Sequence, residues 1–209
     1  MSQTLVETPV SPTAQAFAIL RLAPAIEMTD DQFFALCQQN RDLRLERTAQ
    51  GDIIVMPPTG FETGNRNTSI TGQLYSWAKQ DGTGVACDSS TGFTLPNGAA
   101  RSPDAAWIRR ERLAEFTMEQ KRKFLSLCPD FVIELRSPSD ALQDVQAKME
   151  EYIENGARLG WLIDPQARRV HIYRPGATVQ ALQGLLEISG DPELPGFVLD
   201  LREIWEPNV

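Results

Sequence analysis

The chain has 209 residues, of which 42% are hydrophobic and 23% are charged, and its formal net charge is −8. A chain of this length can bury a full hydrophobic core, and the composition is that of an ordinary globular protein. The acidic balance argues against a protein whose main role is to grip nucleic acid through phosphate contacts. No apolar run is long enough to span a membrane and no secretory signal is recognisable, so we expect a cytoplasmic protein without a membrane partner.

The N-terminal part is predicted to be a flexible leader over residues 1–25, and residues 26–209 are predicted to form a single domain. One strand is expected within the leader, at residues 17–22. Thr29, followed three residues later by Gln32, has the pattern of a capping box. This pattern predicts a short helix immediately after the leader.

A β-hairpin is predicted next. Residues 43–47 alternate between apolar and polar side chains, a turn follows at Gln50-Gly51-Asp52, and residues 53–56 form the returning strand. Glu46 lies on the polar side of the first strand. It is therefore a candidate to join a polar cluster on one face of the sheet.

The remaining elements alternate between helices and strands. A long helix is predicted over 62–79, strands at 85–89, 92–95 and 104–108, and a further helix that begins at Thr117 with Gln120. Later elements are strands at 131–135, 161–164, 170–173 and 185–188, and helices at 142–153 and 201–205. Mixed strands with helices on both sides predict an α/β (α+β) fold with a mixed central sheet.

The strand at 131–135 contains a charged residue, Glu134, within an apolar run. Because side chains alternate across a strand, Glu134 and Arg136 are expected to point to the same face. A structural ion pair between them would account for both. Ser139 or Asp140 is expected to cap the helix that follows.

A second carboxylate, Asp104, follows Ser102-Pro103 at the start of another predicted buried strand. If its strand neighbours that of Glu134, the two carboxylates lie close enough to bind a hard divalent cation such as Mg²⁺. Lys148 lies on the border of the apolar face of the helix at 142–153. It could reach this site, or it could extend along the apolar border with its ammonium group in solvent.

The ordered motifs of the chain resemble the Uma2 family, also called DUF820, of restriction-endonuclease-like proteins in the PD-(D/E)XK nuclease superfamily. The matching residues are Gly51-Asp52-Ile53-Ile54-Val55-Met56-Pro57-Pro58, Ser102-Pro103-Asp104, Glu134-Leu135-Arg136-Ser137-Pro138-Ser139-Asp140, Lys148, Tyr152 and Gly160-Trp161-Leu162-Ile163-Asp164-Pro165. They extend over nearly the whole chain. Several such motifs in order are far more specific than any single one.

The resemblance implies a restriction-endonuclease-like fold, with the hairpin as an N-terminal extension, and an active site that uses Mg²⁺ or Mn²⁺. It implies that Asp104, Glu134 and Glu46 are metal ligands. The superfamily has a lysine two residues after the second acid, where this chain has Arg136. The resemblance therefore assigns the catalytic lysine to Lys148 on the following helix, with Arg136 at a phosphate oxygen.

The favoured interpretation is a metal-dependent endonuclease that hydrolyses DNA and acts as a homodimer. A basic cluster around the strand of Asp104 adds to it, and its members are Arg101, Arg109, Arg110, Arg112, Lys121, Arg122 and Lys123. One rival is an inactive nuclease fold that serves as a DNA-binding or interaction module, which the arginine at the lysine position favours. Another is a hydrolase of small phosphorylated substrates, for which an acidic surface is no handicap.

Overall fold

The computed structural model describes residues 18–207. Most of the predicted leader, residues 1–17, lies outside this range. The strand expected at 17–22 is found as β1 (Ala18–Leu20), which pairs with the hairpin. The capping box is present as predicted, because the Thr29 side chain accepts a hydrogen bond from the Gln32 amide and the Gln32 side chain accepts one from the Thr29 amide.

The remaining strands and helices follow in chain order. The strands are β2 (Arg44–Arg47), β3 (Ile53–Met56), β4 (Gly84–Asp88), β5 (Phe93–Thr94), β6 (Ala100–Arg101), β7 (Ala105–Arg109), β8 (Phe131–Leu135), β9 (Leu159–Asp164), β10 (Arg169–Tyr173), β11 (Gln180–Gln183), β12 (Glu187–Ser189) and β13 (Val198–Asp200). The helices are α1 (Asp30–Gln39), α2 (Phe61–Asp81), α3 (Arg110–Leu113), α4 (Leu142–Glu154) and α5 (Arg202–Trp205).

The central sheet has six strands in the order β11-β10-β9-β8-β7-β4. Its strands are antiparallel except for β8 and β9, which run parallel and are connected by α4. The sheet is therefore mixed, as predicted, and β8 with Glu134 lies near its middle. The β2–β3 hairpin belongs to a separate five-stranded sheet, β1-β3-β2-β6-β5, and β12 pairs with β13.

Helices cover both faces of the central sheet. One face packs against α2 and α5 through a core that includes Leu74, Phe131 and Trp161. The other face packs against α4 through a second core that includes Val132 and Tyr152. Alternate residues of β8 therefore enter different cores, and the side chain of Glu134, two residues after Val132, lies on the α4 side.

Some local predictions were wrong. The residue that precedes α4 is Ala141, which makes no side-chain cap. The Asp140 carboxylate instead accepts a hydrogen bond from the Ser137 amide at 2.7 Å. Its side chain therefore stabilises the turn after β8 and does not cap α4. Thr117 and Gln120 do make reciprocal capping bonds, but these introduce only a short 3₁₀ turn, Gln120–Arg122.

In the C-terminal part, the strand expected at 185–188 is displaced to β12, and the prediction missed β11 and β13. The residues of β11 are all exposed, so they lack the apolar alternation that would indicate a strand. Within residues 18–207, no helix has both the length and the apolar character needed to cross a membrane.

Candidate active site

Asp104 and Glu134 lie opposite each other on neighbouring strands. In the antiparallel pairing of β7 with β8, Ala105 is opposite Ile133, so the next pair along the strands is Asp104 and Glu134. Both residues are buried, with 8% and 6% of their surface exposed. Two carboxylates this close repel each other unless a cation or a proton lies between them.

Glu134 has two direct partners, both on α4. The Tyr152 hydroxyl donates to Glu134 Oε1 at 3.0 Å, and Lys148 Nζ lies 2.9 Å from the same oxygen. Since both contacts involve Oε1, Oε2 is the oxygen that could bind an added ligand. Burial, together with the charges of Asp104 and Glu46, raises the pKa of Glu134 to about 7 against the opposing effect of Lys148.

Lys148 bridges two carboxylates from different sheets. Its Nζ lies 2.8 Å from Glu46 Oε1 as well as 2.9 Å from Glu134 Oε1. Burial would lower the pKa of Lys148, but Glu134 and Glu46 raise it above its usual value, so the side chain remains an ammonium ion. The side chain thus reaches the carboxylates instead of extending into solvent.

A glycine in β9 leaves room for a side chain of α4. A Cβ atom on Gly160 would lie 2.5 Å from Met149 Cε, so a side chain there would require the end of Met149 to move. Met149 directly follows Lys148 and is completely buried. Gly160 therefore accommodates the methionine that anchors α4 next to Lys148.

Glu46 is held by cations and a backbone amide. Arg101 Nη1 lies 3.1 Å from Oε2, and the Ser102 amide donates to Oε1 at 2.9 Å. Although burial acts in the opposite direction, Lys148 and Arg101 lower the pKa of Glu46 to about 2. Glu46 is therefore a permanent anion that fixes Lys148, and its additional role as a metal ligand stays a prediction.

Asp104 is fixed by three contacts. The Leu135 amide donates to Oδ2 at 2.9 Å, Asn67 Nδ2 of α2 donates to Oδ1 at 3.2 Å, and Arg44 Nη2 lies 3.6 Å from Oδ1. Sequence reasoning did not connect Asn67 or Arg44 with the site. Two signals were available: Asn67 is a polar residue on a helix that packs against the sheet, and Arg44 shares the polar face of its strand with Glu46.

Arg136 does not lie beside Glu134. Its Nη1 lies 2.8 Å from Asp164 Oδ2, and its Nε donates to the Asp140 carbonyl at 3.1 Å. The strand ends at Leu135, so the alternation that placed Arg136 on the face of Glu134 does not continue to it. The arginine joins the ends of β8 and β9, and the contact with a phosphate that the resemblance implies would require it to leave Asp164.

The part of the basic cluster from Arg109 to Arg112 does not belong to the site. It lies at the opposite end of β7 from Asp104, roughly 17 Å away at the usual rise per strand residue. Arg112 pairs with the buried Asp130 at 3.1 Å, and Arg109 pairs with Glu111 at 3.4 Å. These contacts hold the far end of the sheet, so these arginines give no support to substrate binding at Asp104.

The carboxylates of the site are the predicted ligands of a divalent cation. Across the part of the chain that the structure describes, no group of three or more His, Cys, Asp or Glu side chains is arranged to hold a metal ion. Asp104 and Glu134 form a pair of hard oxygen ligands, and Mg²⁺ is commonly bound by one or two carboxylates, with water and substrate phosphate completing its shell. The pair therefore fits such an ion, while Lys148 separates Glu46 from Glu134.

The raised pKa of Glu134 predicts a pH dependence of stability in metal-free buffer. Unfolded Glu134 loses its proton near its usual pKa of 4.5, whereas the folded protein keeps it until about pH 7. Relative to Glu134→Gln, wild-type protein should therefore lose about 3 kcal/mol of unfolding free energy between those pH values. Urea unfolding of both proteins from pH 4.5 to pH 8.5 measures this, and a constant difference across the range would contradict it.

A comparison with models of known families identifies the chain. Residues 30–202 match the model of the Uma2 family, which is described as "Putative restriction endonuclease". The match covers most of the chain. The chain belongs to the Uma2 family.

A solved structure supports this assignment of the Uma2 chain at the level of the fold. The crystal structure of a putative nuclease belonging to DUF820 from Anabaena variabilis ATCC 29413 superposes with a TM-score of 0.70 at 19% sequence identity. The alignment covers 86% of this chain and 98% of that one. The predicted nuclease fold is thereby confirmed. No curated protein matches the chain significantly.

Proposed function

We propose that this Uma2 protein is a metal-dependent endonuclease that hydrolyses phosphodiester bonds in DNA. The observation that carries the proposal is the position of Lys148, whose ammonium group from α4 lies against Glu134 and Glu46. The superfamily's lysine position holds Arg136, which is engaged with Asp164. Lys148 thus supplies, from another element, the cation that the motif lacks.

Asp104 and Glu134 are the proposed ligands of Mg²⁺ or Mn²⁺. When bound, such an ion polarises the phosphate and lowers the pKa of a coordinated water. Asp104 is oriented for this role by the Leu135 amide and Asn67, and Glu134 by Tyr152. Ionised Glu134 beside Asp104 places two anionic groups next to each other, which favours a cation between them, while Lys148 and Arg44 offset part of their charge.

Lys148 is proposed to orient the attacking water and to stabilise the negative charge that develops on the phosphate. An ammonium group that is already positioned needs little reorganisation in the transition state. Glu46 acts through Lys148 as a positioning residue, and Arg101 balances the charge of Glu46 at 3.1 Å. Arg136 is left outside this arrangement.

The substrate, the location and the assembly of the protein are part of the same proposal. The family description names restriction endonucleases, which supports DNA as the substrate. The cytoplasm is the proposed location. A homodimer is proposed because apolar side chains of the N-terminal sheet and its hairpin are exposed, among them Ile19 at 48%, Leu20 at 52% and Leu43 at 47%.

Metal-dependent cleavage of supercoiled plasmid tests the proposal. Nicked or linear DNA should appear with Mg²⁺ or Mn²⁺ at low salt and should be abolished by a chelator. A small phosphodiester such as bis(p-nitrophenyl) phosphate, assayed in parallel, identifies a hydrolase that needs no nucleic acid. Intact plasmid with both metals would contradict the nuclease assignment.

A further inference from the structure

A groove of about 700 Å³ extends from the candidate active site along α2. One wall is a stripe of α2 that includes Asn67, Thr71 and Tyr75, and the other is β4 with the turn that follows it. We call this cleft the α2–β4 groove. Because β4 is an edge strand of the central sheet, the groove is open along its length.

The inner end of the groove meets Asp104 through two of its lining residues. Asn67 and Arg44 both line the groove and both contact Asp104 Oδ1. Among the residues described, Arg44 Nε and Asn67 Oδ1 are buried without a hydrogen-bond partner. Asp104 accepts hydrogen bonds, so the Asn67 amide must direct Nδ2 towards it, and Oδ1 is left without a partner.

Arg44 is the cation of the groove lining. Its side chain is 30% exposed, so its guanidinium charge can attract a phosphate group that enters the groove. The hydroxyl groups of Thr68 and Thr71 on the same wall can donate hydrogen bonds to the ligand or accept them. A nucleotide carries a phosphate as well as polar groups of both kinds.

Tyr75 marks the outer part of the groove. It is 52% exposed, although tyrosine in a globular protein usually packs most of its ring. Lys79 Nζ lies 5.9 Å from the centre of the Tyr75 ring, on the adjacent turn of α2. An exposed aromatic ring beside a lysine is the combination that binds the stacked base and the phosphate of single-stranded nucleic acid.

The rest of the groove lining is polar and suits a polar ligand such as a nucleotide. Its lining is rich in hydroxyl groups, from Thr68 and Thr71 on α2 to Ser89 after β4. The carboxylate of the lining, Asp88, accepts hydrogen bonds from the amide and hydroxyl groups of Ser90 at 3.0 and 2.6 Å. Asp88 therefore stabilises the turn, and its charge is the one in the lining that an anionic ligand has to avoid.

We propose that the α2–β4 groove binds a single-stranded segment of the nucleic acid next to the bond cut at Asp104, with Tyr75 stacking on a base and Arg44 contacting a phosphate. The inference rests on the proposed nuclease function and adds the substrate class. A cleft of this volume is the size of a small-ligand pocket and holds about one or two nucleotides, not a duplex. The favoured substrate is then single-stranded DNA or a duplex with an unpaired flank.

Binding of a fluorescein-labelled oligothymidylate of 12 nucleotides, followed by anisotropy with metal chelated, tests the groove separately from catalysis. Tyr75→Ala should weaken binding about tenfold, in line with the loss of one stacked base, and Tyr75→Phe should retain it. Phe61→Ala is the matched control. Phe61 is an exposed aromatic of the same helix, about 21 Å from Tyr75 along the axis.

Equal affinity of wild type and Tyr75→Ala would overturn the inference, as would an equal loss in Phe61→Ala. No binding of the oligonucleotide by wild type would also overturn it. Binding that depends on Tyr75 without any cleavage would support the groove while the nuclease proposal failed. Cleavage of DNA together with oligonucleotide binding that does not depend on Tyr75 would support the nuclease proposal and overturn the groove.

Discussion

Replacing Lys148 with methionine should reduce metal-dependent DNA cleavage about 100-fold or more. Methionine retains most of the length and apolar volume of the side chain but removes the ammonium group that contacts Glu134 and Glu46. A positioned acid–base or cationic group typically contributes a factor of this size to the rate. Initial rates of plasmid nicking in Mg²⁺ measure the effect.

The same substitution leaves buried carboxylates without their cation, so part of its effect falls on stability. Loss of one partner of a buried ion pair costs about 3–5 kcal/mol, although uptake of a proton by Glu134 would offset some of it. Urea unfolding and assays well below the melting temperature separate the two effects. Lys123→Met is the matched control, because Lys123 pairs with Asp31 at 2.9 Å on the surface. A folded Lys148→Met protein with wild-type cleavage would exclude a catalytic role for Lys148.

Replacing Arg136 with methionine should destabilise the protein by about 3 kcal/mol while cleavage by the folded protein changes less than about threefold. Asp164 is 2% exposed and would lose its charged partner, although it keeps hydrogen bonds from the Gln166 and Ala167 amides. The estimate is at the low end for a buried pair because the Arg136 side chain retains 20% exposure. Urea unfolding and plasmid nicking measure the two quantities.

Arg109→Met serves as the control for this prediction. Arg109 pairs with the exposed Glu111, and such surface pairs contribute about 1 kcal/mol or less. A strong loss of cleavage in Arg136→Met with unchanged stability would contradict a purely structural role for Arg136. It would mean that Arg136 leaves Asp164 and contacts the phosphate when substrate binds.

The sequence was sufficient to predict the elements that carry the two carboxylates. A charged residue in a short apolar run identified the strand of Glu134, and the apolar run after Asp104 identified its neighbour. Both signals depend on local burial, which leaves a clear pattern in the sequence. The periodicity of the helix that follows also placed Lys148 on the border of a buried face.

The position of Arg136 shows where local patterns fail. Alternation predicts the direction of a side chain only while the strand continues, and β8 ends at Leu135. Beyond that residue, the side chain is directed by Asp164 on the neighbouring strand, which is 28 residues away in the sequence. A partner so distant leaves no local signal.

The contacts of Asn67 and Arg44 with Asp104 also join residues that are distant in the sequence, so local patterns could not predict them. They bring together a helix, a hairpin from a second sheet and the start of β7, and the Asn67 contact joins residues 37 positions apart. Arg101 was included in the basic cluster because only a short stretch of sequence separates it from Arg109. In the fold it pairs with Glu46 and Glu151, at 3.1 and 2.6 Å, and is separated from that cluster.

The most direct test of the account is the rate of Mn²⁺-dependent plasmid cleavage by Asp104→Asn and Glu134→Gln. Asp130→Asn is the control, since Asp130 is a buried carboxylate at the far end of the same sheet. Both site variants should lose cleavage by at least about 100-fold, and the control should retain it. Cleavage that persists in either folded site variant would contradict the assignment of Asp104 and Glu134 as the metal-binding pair.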